Sequence, residues 1–228
     1  MNDLAQKLIE ELQCETVFTI PVLGGIPVSE AVVVTWIIMA GLVIVAFILT
    51  RNLKVDHISK RQAVAESIVT GLMNMVQGMV GEKGRKYVPY LTTVMLYIGV
   101  SNIIGLFGFK SPTKDLRVTV ALALMSIILI EAAGIYHKGV KRWLHGFVEP
   151  VAIVTPINIL EVVTKPLSLC MRLFGNVLGA FVIMELLKMI LPVGLPVVFS
   201  LYFDIFDGLL QAYVFVFLTS LYIDEITE

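Results

Sequence analysis

The chain has 228 residues, of which 57% are hydrophobic and 15% charged, with a formal net charge of -1 and a mean hydropathy of +0.89. Soluble domains run nearer half apolar and a quarter charged, so this composition excludes an ordinary water-soluble enzyme or binding domain. The apolar excess falls in runs of about 20 residues, the length that crosses a bilayer as a helix. It predicts an all-α polytopic membrane protein: about five transmembrane helices plus one amphipathic or membrane-associated helix, ending in a long tilted helical hairpin. The whole chain, 1–228, reads as a single integral membrane domain.

Residues 1–29 form a mixed polar segment with a Pro/Gly turn, "PVLGGIP", and lack the features of a cleavable signal. The first span runs over 30–50, with its apolar stretch from Ala31 to Leu49. "RNLKVDHISKR" follows, carrying Arg51, Lys54, Lys60 and Arg61. Short basic loops stay cytoplasmic, which sets the N-terminus outside. Glu66, Asn74 and Gln77 interrupt 62–80, which reads as an amphipathic helix at the membrane surface or along the bundle. "GEKGRKYVP" adds three more basic residues on the inside.

Residues 87–136 predict a helical hairpin about the external turn "FKSPTKDLR", although the basic residues of that turn run against the positive-inside tendency. "HKGVKRWLHG" returns the chain to the cytoplasmic side. Residues 150–226 hold two long apolar arms around "LPVGLP", where two prolines and a glycine break the helix. Arms of about 35–40 and about 30 residues exceed what a perpendicular crossing needs, so they tilt or curve. Both outer ends, and so the C-terminus, fall on the cytoplasmic side. Cys14 and Cys170 do not make a disulfide framework, and Cys170 reads as a small packing residue. His57, His137 and His145 are scattered, so no metal site is expected.

The first arm carries a polar stripe. At about 100° per residue, Glu161, Lys165, Ser168, Arg172, Asn176 and Gly179 share one face. An arginine at mid-membrane costs at least about 2.5–3.5 kcal/mol. A structural ion pair would account for it. Glu161, however, lies roughly 16 Å along the axis from Arg172, too far for direct contact within the helix. The stripe is therefore expected to serve function. Gly175 and Gly179 have the G-x-x-x-G spacing of a close helix contact, within the chain or with a partner.

On the second arm, "FDIFDGLLQAY" places Asp204, Asp207, Gly208 and Gln211 on one helical face. Carboxylates on a membrane helix face protein or water. Folding the hairpin about its turn predicts two polar regions. Glu185, Asp204 and Asp207 lie toward the external side; Arg172, Asn176 and Gln211 lie deeper. Acids leading toward a fixed cation form a candidate ion access path.

These residues also carry a resemblance. "KPLSLCMRLFGNVLGA" resembles the signature of subunit a of F-type ATP synthases, and "INILE", "SPTKDLRVTVALAL" and "LLQAYVFVFLTSLYI" match that family in position. The resemblance implies a static membrane subunit beside a rotating c-ring. Arg172 would face the ion-binding carboxylate of each passing c-subunit, with Asn176 and Gln211 as polar neighbours. Two offset half-channels would carry H+ or Na+ to and from the ring, and Arg172 would prevent a direct leak. Arginine cannot be deprotonated, so it attracts a carboxylate without conducting a proton. Ser168 and Glu161 complete the candidate ion-translocation residues.

The resemblance further implies one copy per complex, in contact with the c-ring, peripheral-stalk b subunits and lipid, and with no cofactor and no nucleic acid. The expected location is the bacterial plasma (inner) membrane. Two positions depart from the family's common pattern. Phe181 stands where an acid is frequent, and Asp204 where a histidine is frequent; Glu185 with Asp204 is expected to replace that pair. Arg117 stands where asparagine is common. No phosphate-binding G-x-x-x-x-G-K-[ST] loop occurs, so ATP is not processed by this chain itself. The alternative is a stand-alone secondary transporter or channel, which predicts an internal repeat around a midplane site; none is found. A purely structural scaffold explains the glycine spacing but not Arg172, Gln211 and the acids.

Overall fold

The computed structural model describes residues 16–20, 26–51, 53, 59–107, 109, 111–146, 154–190 and 194–227. Cys14 and His57 lie outside them. Strands β1 (Thr16–Ile20) and β2 (Ile26–Ser29) pair antiparallel, with Thr16 opposite Ser29 and Ile20 opposite Ile26. The sequence predicts only a turn here. The β-branched residues Thr16, Val17, Thr19 and Ile20 favour the strand that forms.

The helices follow as α1 (Glu30–Thr50), α2 (Lys60–Met79), α3 (Val88–Ile103), α4 (Leu116–Lys138), α5 (Val140–Gly146) and α6 (Thr155–Ile190). The last arm has three pieces: α7 (Leu195–Ser200), a π-helical turn (Leu201–Asp207) and α8 (Gly208–Thr227). Five stretches are long and apolar enough to cross a membrane: Glu30–Thr50, Gly84–Phe107, Leu116–Lys138, Thr155–Lys188 and Val198–Thr227. The five predicted spans are therefore present. The 36 residues of α6 give a helix of about 54 Å at 1.5 Å per residue. A hydrocarbon core of about 30 Å accommodates it only at a steep tilt.

Local chemistry fixes the helix ends. Ser59 accepts from Gln62 N at 3.3 Å to cap α2. Asp115 accepts from Arg117 N at 2.9 Å to cap α4. Its other carboxylate oxygen accepts from Ser29 Oγ at 2.9 Å, which ties the strand pair to the hairpin turn between α3 and α4. Gly139, at φ 77°, ends α4 in a conformation that a side chain would strain.

The core is built on α3, α4 and α8. Val94, Ile98, Leu122 and Phe215 pack together with Leu169, Cys170 and Leu173 of α6. A second cluster, including Val76, Val88, Leu91, Ile130, Val216 and Ile223, binds α2 to the same bundle. Cys170 is buried and its thiol lies 3.5 Å from Thr119 Oγ1, the packing role expected of it. Helices also meet closely at Gly134, where an added Cβ would come within 2.8 Å of Ile226. Helix α1 stands at the edge and buries only Ala31, Val34 and Ile38.

Candidate ion path

The two sides of α6 have opposite character. Leu169, Cys170 and Leu173 turn toward α4 and α8, and Ser168, Arg172, Gly175 and Asn176 are exposed on the other side. The polar stripe divides in turn. Lys165 reaches α8, with its ammonium 3.0 Å from Glu225 and 3.4 Å from Glu161. Asn176 Nδ2 donates to Gln211 Oε1 at 2.6 Å. Arg172 makes no hydrogen bond or ion pair with any described residue. A structural ion pair therefore does not account for it among the described residues, and Glu161 is engaged by Lys165.

The glycine spacing resolves in the same direction. A Cβ added at Gly175 or Gly179 would meet nothing within 4 Å. Packing within the chain, one of the two uses the spacing allows, does not occur among the described residues.

On the other flank of α6 lies a cavity of about 490 Å³. It is lined by Asn102 and Gly105, by Glu185 and Lys188 of α6, by Asp204 and Asp207 of the π turn, and by Gln211 of α8. The three acids predicted to group together do so. The geometry behind this differs from the α-helical wheel drawn from the sequence. A π turn carries i→i+5 bonds and one residue more per turn than the wheel assumes. Gly105 leaves room for the result: a Cβ there would lie 3.2 Å from an Asp204 carboxylate oxygen.

Two basic residues that the sequence did not mark also border this cavity. Lys188 Nζ lies 2.6 Å from Glu185 Oε1, with Glu185 17% exposed and Lys188 54%. Glu185 thus enters the group as half of an ion pair. Lys114 Nζ sits over the Phe181 ring, 2.7 Å from its centroid. The i,i+3 spacing of Glu185 and Lys188 was the available signal for the first; nothing local signals the second. Arg117 is exposed and does not line the cavity.

Gln211 joins the two regions. It is 2% exposed, lines the cavity and bonds to Asn176 on the open face of α6. Its bond to Asn176 uses one polar atom of the amide, and the other, Nε2, is buried without a partner among the described residues. An orphaned buried donor costs about 1–3 kcal/mol, so this nitrogen is an unmet donor beside the cavity. Arg172 does not line the cavity; the Gln211–Asn176 contact lies between the cavity and the exposed face of α6 that carries Arg172.

Residues 32–224 match the sequence family described as ATP synthase A chain. The chain belongs to that family. It is 36% identical over 203 residues to ATP synthase subunit a of Moorella thermoacetica, covering 88% of this chain and 92% of the relative. It is 35% identical over 215 residues to the sodium ion specific ATP synthase subunit a of Propionigenium modestum, covering 87% of this chain and 74% of the relative. It is 33% identical over 206 residues to ATP synthase subunit a 2 of a Bradyrhizobium species, covering 88% and 90%. Membership of this family decides against the stand-alone transporter or channel.

Proposed function

We propose that the chain is the ion-translocating stator subunit of an F-type ATP synthase membrane sector, and that Arg172 is the fixed charge separating its two half-channels. The observation that carries this reading is the pairing state of Arg172, an exposed arginine on a membrane-crossing helix with no partner in the described chain. A charge so placed is retained for something outside the chain. The open glycines beside it give a flat approach surface for a helix. The fitting partner is a c-ring helix bearing a carboxylate.

In this reading the cavity is one half-channel. The N-terminus and the turn containing Ser111 and Lys114 face outside, the C-terminus faces the cytoplasm, and the chain is one integral membrane domain. An ion enters past Glu185 and Lys188, meets Asp204 and Asp207, and passes Gln211 and Asn176 to a rotor carboxylate. Arg172 attracts the ionised carboxylate once its ion has left and bars the short route to the other side. Ser168 and Glu161 lie toward the cytoplasmic end of the same stripe and border the second half-channel. Each charge crossing the membrane is driven by about 2.3 kcal/mol per 100 mV, several times RT, so a leak would dissipate useful work. Peripheral-stalk b subunits hold the chain against rotation, one copy per complex.

The test is Arg172→Ala in an otherwise intact complex, read as ATP-driven ion pumping and ATP synthesis in membrane vesicles. Loss of both with normal assembly is expected. Normal coupled activity would make Arg172 a structural charge and overturn the reading.

A further inference from the structure

The π turn is held from outside its own helix. Gly208 closes it, donating its N–H to Phe203 O and Ile205 O. The carbonyl of the same residue accepts from Asn102 Nδ2 of α3 at 2.9 Å, a contact between residues 106 positions apart. Asn102 is 5% exposed, and its other amide atom is used as well: Thr113 Oγ1 donates to Asn102 Oδ1 at 2.7 Å. Thr113, 0% exposed, lies 2.7 Å from Ser111 Oγ, which reaches the Ser101 carbonyl at 2.7 Å. A braced amide therefore grips the one residue at which π geometry returns to α geometry. The fit is tight. A Cβ on Gly208 would come within 2.8 Å of Asn102 Cβ.

We propose that Asn102 is a positioning residue for ion transfer: it locks the π turn and so aims Asp204 and Asp207 into the cavity that Gln211 lines. Reversion to a continuous α-helix would rotate residues on the N-terminal side of Gly208 by about 100° relative to α8, one residue's worth of turn. Asp204 would then leave its place beside Gly105. Intrinsic preference does not maintain a π turn, since such turns are rare and are frequently found at functional sites. The Asn102 amide supplies what the local sequence lacks, and Gly208 supplies the room. The proposal rests on the ion-path reading for its function but not for its geometry.

Two readouts separate these. Cysteines replace Gly105 and Asp204, in a chain whose Cys14 and Cys170 are alanine, and disulfide formation is measured in membranes of the assembled complex. With Asn102 present the cross-link forms. With Asn102→Asp, which keeps the volume and the acceptor for Thr113 but turns an acceptor toward the Gly208 carbonyl, the yield falls at least fivefold, and Asn102→Ala behaves alike. Without the cysteine pair, Asn102→Asp raises the external ion concentration for half-maximal ATP synthesis roughly tenfold, the scale of one buried group left unsatisfied. Thr113→Val, which removes only the brace, shifts it less and keeps the proposal testable if the Asn102 variants do not assemble.

An unchanged cross-link in Asn102→Asp overturns the proposal whatever happens to synthesis. A lost cross-link with unshifted ion dependence overturns it too, because the turn would then not matter to transfer. Failure of the ion-path reading would appear instead in Arg172→Ala and would leave the cross-link results standing.

Discussion

Around the turn between α3 and α4, Asp115 accepts from Ser29 and from the Arg117 backbone and Asn102 uses both amide atoms, with Ser101 Oγ the buried hydroxyl there that has no partner among the described residues. Along the outward side of α6 the pattern reverses. Arg172 has no partner among the described residues, Gly175 and Gly179 face open space, and Gln211 behind them keeps one buried donor unmatched. Burying or embedding an unsatisfied group is costly wherever it occurs. The first region holds polar residues that serve the fold; the second, in the function proposed above, holds residues that serve something beyond the chain.

The contrast can be broken by adding the same bulk to each region. Gly179→Leu should leave the fold intact, because the added side chain meets nothing within the chain. It should cut ATP-driven pumping at least about tenfold by obstructing a partner surface, since overpacking a contact costs about 1–3 kcal/mol. Membrane levels of the subunit should stay normal. Gly134→Leu should do the opposite. Its Cβ would lie 2.8 Å from Ile226, so the loss of about 1–3 kcal/mol falls on the fold itself. Thermal unfolding of the purified complex and the amount of subunit in membranes would both report it.

Gln211→Leu sharpens the comparison through a difference of sign. Deleting an amide with an unmatched buried donor should leave stability unchanged or raise it by about 1 kcal/mol, while pumping falls. A destabilised Gln211→Leu chain would mean the amide belongs with the structural polar groups. The smallest effect is expected at Lys165→Met. Its partner Glu225 is 54% exposed and Lys165 itself 17%, so the clamp between α6 and α8 is worth at most about 1 kcal/mol. A denaturation midpoint that barely moves is the expected result.

Much of this arrangement is legible in the sequence because it depends on local spacing. Apolar runs mark the spans, and the 4, 3, 4, 4 and 3 steps from Glu161 to Gly179 draw the stripe on a regular helix. Asn176 and Gln211 meet because a hairpin with a known turn fixes their relative depth. What escapes has a different origin. The π turn inserts one residue that no hydrophobic period reveals, since Leu201–Asp207 is apolar on several sides. The Asn102 contact with Gly208 is tertiary and depends on how α3 meets α8. The Trp143 indole donates to Glu131 at 2.9 Å, tying α5 to α4, and neither residue stands out in a helical projection. The strand pair is too short to show a period.

The most direct measurement is passive ion flux through vesicles carrying the membrane sector stripped of its ATP-hydrolysing part, with Arg172 and with Arg172→Ala. If Arg172 is the barrier between two half-channels, flux under an imposed gradient should rise at least about tenfold in the variant, the scale of removing a few kcal/mol of charge barrier. Flux equal to that of the unaltered subunit, with pumping preserved in the full complex, would contradict the account.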